Sequence, residues 1–173
     1  MKKIFNILGF QICWWLCVLF STTNYSYIGA IVMSLYIMIH LLYISDHYKK
    51  EFKLILITGF IGTIFDSLFI GFNIFSYSSA FSVIPLIVPL WITAMWAGFA
   101  TTLNHSLYWI NKNYYIAFLM GFIFGPISYL TGESFKAIQF NMETVNSLAI
   151  LAFSWGIAIP LVVYINHRIV ITK

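Results

Sequence analysis

Charge is scarce in this chain. Only 8% of its 173 residues are Asp, Glu, Lys or Arg, whereas a soluble domain carries roughly 25% because its surface must face water. That shortage excludes a soluble enzyme, a nucleic-acid-binding module and a disordered tail together. With 61% apolar residues and a mean hydropathy of +0.91, the solvent that suits the chain is lipid. Cysteine is almost missing too. Cys13 and Cys17 stand one helical turn apart on the same face of one apolar run, so they bridge no separate segments and read as small packing residues. The residues after that first run, Ser21-Thr-Thr-Asn-Tyr25, have no small-x-small cleavage pattern, and the run reads as an uncleaved membrane span.

What is abundant is apolar length. Runs at 4–20, 26–44, 54–75, 86–110, 115–130 and 145–165 are each about long enough to cross a bilayer as a helix. Backbone groups in hydrocarbon must be satisfied internally, and strand alternation is absent from the runs, so helices are expected. The expected fold is all-α: a polytopic, six-transmembrane-helix bundle forming one integral membrane domain over residues 1–173. Placing the N-terminus in the cytoplasm puts Lys2, Lys3, Lys49, Lys50, Lys53, Lys112, Arg168 and Lys173 inside and leaves Lys136 alone outside. This asymmetry predicts both termini cytoplasmic. The basic pI of 9.1 then serves insertion and anionic headgroups, with membrane lipids and no nucleic acid as partners. On the outer side, the segment 132–144 is the longest polar connection and carries Glu133, Lys136, Gln139, Asn141 and Glu143. It is a candidate outer lid or partner surface, or a plain solvated loop.

Polar residues inside the runs carry the rest of the information. A carboxyl in hydrocarbon costs about 2.5–3.5 kcal/mol on insertion scales, so Asp66, without a Lys or Arg in any span, is expected to be neutral unless water reaches it. Gly59, Gly62 and Asn73 share its helical face, a small and polar stripe that suits either close packing or a cavity wall. In the fourth run, Trp91, Met95, Gly98, Thr102, His105 and Trp109 recur at intervals of four and three and would form one helix face, with Trp96 near mid-membrane as packing residue or cavity wall. Depth counting brings His105, Asn104, His40 and Gln11 to one cytoplasm-proximal level. Two histidines and two amides want a third ligand before they hold a metal, so no metal and no cofactor are expected. In the fifth run, Gly121-Phe-Ile-Phe-Gly125 allows close helix approach, and Pro126 directly after it frees a backbone carbonyl that something must satisfy, while the span continues through Ser128, Tyr129 and Gly132 to Glu133.

Several of these residues together resemble a family signature. Pro89-Leu-Trp91, Trp96 and Phe99-Ala-Thr-Thr-Leu-Asn-His-Ser-Leu107 look like the pattern of an uncharacterised family of bacterial inner-membrane proteins, a domain of unknown function. The resemblance extends to Asn6, Phe10-Gln11, Trp14, Gly62, Asp66-Ser67-Leu68, Gly125-Pro126 and Ser128-Tyr129. It implies multi-pass topology in the bacterial inner (plasma) membrane and brings no activity with it. Members of that family are often encoded beside fatty-acid-modifying enzymes, an association that leans toward lipids.

Three classes of function follow. The first is binding or processing of a lipid or other hydrophobic small molecule in an intramembrane cavity, with Asp66, Trp91, Trp96, Thr102, Asn104, His105, Gln11, Tyr129 and Glu133 as candidate ligand-binding residues. Were it an enzyme, His105 would be the base and Asp66 the acid, although about 10 Å of depth separates them. The second is a substrate-binding transporter component or small carrier, against which the first span offers Gly9 and Cys13 but no small-x-x-x-small pattern clear of Trp14 and Trp15. The third is a structural or assembly partner packing through Gly121 and Gly125.

Overall fold

The computed structural model describes residues 2–78 and 86–171. Its elements are α1 (Lys2–Phe20), α2 (Tyr27–Tyr43), α3 (Tyr48–Gly71), β1 (Phe75–Tyr77), α4 (Leu90–Ala100), α5 (Tyr114–Ser134), β2 (Ile138–Phe140) and α6 (Thr144–Asn166). Of these, α1, α3, α5 and α6 are long and apolar enough to cross a membrane, so the chain is a multi-pass, membrane-embedded helical protein. The helices pack as sequential pairs, α1 on α2, α3 on α4 and α5 on α6, with α4 also against α2. One end of the bundle carries the start of α1 and the end of α6. The other carries the two strands. Outside the spans at the terminal end, Lys2 donates to Asp46 at 3.0 Å, and that hydrogen bond and charge hold the Asp46 carboxyl below its usual range.

Two expectations about the elements are corrected. The third helix begins at Tyr48, so Lys49, Lys50, Glu51 and Lys53 belong to its first turns and not to a linker. The fourth run is not one helix: regular structure stops at Ala100, residues 101–107 are a chain of turns, and 108–112 form a 3-10 turn. The reason lies in the residue types. Thr101 and Thr102 turn their hydroxyls back onto Gly98 and Phe99 carbonyls at 2.7 and 2.6 Å, and Asn111 takes the Leu103 carbonyl at 2.6 Å, so side chains replace the helical ladder. The face predicted from Trp91 to Trp109 therefore does not exist as a helix face, and Leu103 in the turns is fully buried. Pro126 lies inside α5, which continues past it unbroken from Tyr114 to Ser134.

The polar outer connections form a small strand pair, β1 antiparallel to β2, with Ser76 opposite Gln139. Each strand is reached in the same way. Helices α3 and α5 end on a left-handed residue, Asn73 (φ 55°) and Lys136 (φ 60°), and the next amide reaches back five residues, Ile74 to Phe69 and Ala137 to Gly132. Asn73 thus caps its helix and accepts from Asn141 at 2.8 Å, outside the stripe expected to contain it. One sequence offset relates Asn73 to Lys136, Ser76 to Gln139, Gly62 to Gly125 and Asp66 to Tyr129. The units α3–β1–α4 and α5–β2–α6 are therefore two copies of one design facing each other. Gly62 leaves room for the Trp96 indole, and Gly125 for that of Trp155; a Cβ at either would overlap the ring. The two indoles stack between the copies, with centroids 4.5 Å apart and planes within 13°.

Candidate functional site

Two separate polar groupings are built inside this frame. The first surrounds Asp66, which α3 delivers to the interior at 1% exposure. Its carboxylate oxygens are shared: Trp96 Nε1 of α4 donates to one at 2.9 Å, and the Tyr129 hydroxyl of α5 donates to the other in a very short bond. The group is therefore a hub between the two repeated units and faces no lipid.

Beside this hub lies a cavity of about 460 Å³. Phe10, Gln11, Trp14 and Trp15 of α1 form one wall, Trp91, Met95, Trp96 and Phe99 of α4 the next, and Gly121 to Gly132 of α5 with Trp155 of α6 the far side. Gln11, Trp15, Phe124 and Ile127 are both cavity lining and outward-facing. The cavity thus opens sideways between α1 and α5, closed toward the strand end by the edge contact of Trp15 with Phe135 at 5.4 Å. Its polar content is small and unusual. Among the described residues, Trp91 Nε1, Tyr77 Oη and Trp155 Nε1 are buried with no partner in hydrogen-bond geometry, the last two lying near the Tyr129 hydroxyl. Trp91 Nε1 is the clearest of the three, a buried donor of a cavity-lining side chain with no acceptor among the described residues. Buried donors are ordinarily satisfied, and leaving one empty costs about 1–3 kcal/mol.

The second grouping sits at the terminal end and ties down residues 101–107. Asn6 of α1 accepts from Ser106 N at 3.2 Å and Ser106 Oγ at 2.6 Å, and its amide nitrogen donates to Tyr36 Oη at 3.0 Å and to the Thr101 carbonyl at 3.2 Å. Asn104 and Asn166 exchange two hydrogen bonds of 2.9 Å. His40 Nε2 and His105 Nε2 converge on Glu51, at 2.9 Å from Oε2 and 3.2 Å from both oxygens respectively. This is the layer expected from depth, with two changes. Gln11 is outward-facing at the cavity mouth, and the amide that joins the layer is that of Asn6. Glu51, assigned to a linker by its lysine neighbours, is 4% exposed and supplies an acidic centre that depth counting from Leu54 could not show.

Of the nine candidate residues, Gln11, Asp66, Trp91, Trp96 and Tyr129 line the cavity. Thr102, Asn104 and His105 belong to the terminal layer, and Glu133, half-buried in the last turn of α5, joins neither. Asp66 and His105 are therefore not an acid–base pair. Trp155 and Tyr77 were missed as site residues. No spacing within the last run sets Trp155 apart, and Tyr77 comes to the cavity through the strand pairing.

The fold and these sites define a multi-pass helical membrane protein built on a repeated helix–strand–helix unit around an intramembrane cavity. The chain belongs to the family described as "Protein of unknown function (DUF2878)", which it matches over residues 3–161. No curated protein and no solved structure matches it.

Proposed function

We propose that the protein is a bacterial inner-membrane protein that holds a hydrophobic molecule, a lipid or acyl chain with one oxygen-bearing end, in the cavity beside Asp66. The observation that carries this reading is a largely apolar, sideways-opening cavity lined by Trp91, whose buried N–H has no acceptor among the described residues. Apolar walls suit a chain, the sideways opening suits entry from the bilayer, and the empty donor suits a carbonyl or hydroxyl oxygen. Native mass spectrometry of gently extracted protein, supplied with phosphatidylethanolamine or palmitic acid, tests it. Wild-type protein is expected to retain one such molecule. Trp91→Phe keeps an aromatic ring against Tyr77 but removes the donor, so it should fold normally and bind about 2- to 10-fold more weakly, the worth of one hydrogen bond. Absence of any retained molecule in wild-type protein overturns the reading.

A second reading is favoured by the repeated unit. Parallel repeats meeting at a mid-membrane polar group are a recurrent plan in carriers, and here α3–β1–α4 meets α5–β2–α6 at Asp66 and Tyr129. A carrier would move its ligand between vesicle compartments, whereas a binding protein would hold it without net flux.

Both readings share six spans with both termini cytoplasmic, in which the 17-residue α2 and the 11-residue α4, completed by residues 101–112, cross with the four long helices. Reporter fusions ending at Asp46, Lys112 and Lys173 should read cytoplasmic, and one ending at Phe140 external. An external Lys173 would dismiss this topology.

A further inference from the structure

We propose that His40, Glu51 and His105 form a binding site for one divalent transition-metal ion of the zinc or iron(II) class. This goes beyond the cavity reading and does not depend on it, because Glu51 and Asp66 stand about 22 Å apart along α3.

The argument begins with placement. α2, α3 and the turns after α4 each contribute one residue, and their potential ligand atoms lie within 4.8 Å of one another. His40 is 0% exposed, Glu51 4% and His105 8%. Among the described residues, the ion pairs of Glu51 are with these two rings. A carboxylate almost withdrawn from water gains no positive charge from a neutral imidazole, whereas a divalent ion supplies it directly and is bound by all three groups.

The donor set also selects the ion. Two imidazole nitrogens and one carboxylate suit zinc or iron(II), while calcium and magnesium call for more oxygen ligands. The cysteines that would draw copper(I) are on α1 in the apolar core. Metal–ligand bonds of about 2.0–2.2 Å in a tetrahedral site separate the ligand atoms by about 3.3–3.6 Å. The present separations of 2.9 and 3.2 Å between each Nε2 and the carboxylate require an outward shift of only a few tenths of an ångström on that scale. The ring tautomer can follow. Asn6 has two amide hydrogens, and Tyr36 Oη and the Thr101 carbonyl, at 3.0 and 3.2 Å, are closer to its nitrogen than His40 Nδ1 at 3.4 Å. His40 can then hold its proton on Nδ1 and turn the Nε2 lone pair to the ion. Three protein ligands leave a fourth position for water, the pattern of an open site.

The test uses the full chain with a purification tag free of histidine, extracted in detergent, stripped with a chelator and titrated with cobalt(II). Cobalt reports its ligand field through visible absorption. The expected result is a saturable rise ending at one ion per chain, displaced by zinc, with imidazole in the first shell by X-ray absorption. Glu51→Gln and His105→Gln should abolish saturation, while His47→Gln, a change in an outward-facing histidine close in sequence, should not. Where a ligand variant fails to fold, the wild-type stoichiometry and imidazole signature decide. No saturable binding, a first shell without imidazole, or saturation that survives in folded Glu51→Gln would overturn the proposal and make the trio a hydrogen-bonded, proton-sharing cluster.

Discussion

Asp66→Leu should lower the unfolding free energy by roughly 2–6 kcal/mol, a large share of the 5–15 kcal/mol typical of a whole domain. The figure comes from two donors. Trp96 Nε1–H and the Tyr129 O–H both end on this carboxyl, and leucine takes the acceptor from each at a buried position, at about 1–3 kcal/mol apiece. Asp66→Asn behaves differently. Its amide oxygen can accept from Trp96 and its amide nitrogen can donate to Tyr129, whose hydroxyl then accepts, so stability should stay within about 1 kcal/mol of wild type. Thermal unfolding in detergent followed by tryptophan fluorescence separates the two variants. Leucine and wild type melting together would show that the hub does not hold the repeated units. A stable asparagine variant that retains no ligand would show that the carboxyl acts through its proton.

Asn6→Leu should be of similar size, and its effect should be local before it is global. Four hydrogen bonds leave with the amide, and two backbone groups, the Ser106 N–H and the Thr101 carbonyl, lose the partner described for them. At about 1–3 kcal/mol for each stranded group, the loss is roughly 2–6 kcal/mol. Residues 101–107 have no helical ladder to fall back on, so hydrogen exchange there should accelerate well before exchange in α5. Unchanged protection of these residues in a folded variant would mean that Asn104, Asn166 and Asn111 suffice to hold the segment.

How much of this was legible follows from what each signal measures. Apolar run length found the six helices to within a few residues at most ends, because burying backbone in lipid leaves few alternatives. The same signal overran α4: Leu103, Leu107 and Ile110 keep the run apolar, while the Thr101, Thr102 and Asn111 side chains were already diverting its carbonyls. The cost of an intramembrane charge found Asp66, but its partners came from other helices, and no spacing within α3 points to Trp96 or Tyr129. Depth matched His40 with His105 and mistook Gln11 for Asn6, since depth carries no azimuth: Gln11 turns outward where Asn6 turns in. Glu51 was hidden by company, because three neighbouring lysines make its stretch look like a solvated link. The strand pair was illegible in segments of three residues each.

The strand pair acts mechanically as a strap. It joins the ends of α3 and α5 through links of three residues, Phe72 to Ile74 and Phe135 to Ala137, so those two helices cannot part at that end without breaking a hydrogen-bonded ladder. Helix α1 is not part of that strand ladder; at the same end it meets α5's exit through the rings of Trp15 and Phe135. Compliance is therefore distributed unevenly around the cavity. The wall formed by the repeated units is stiff, and any widening of the seam toward the bilayer falls to α1 leaning away as a hinged panel about its contacts with α2.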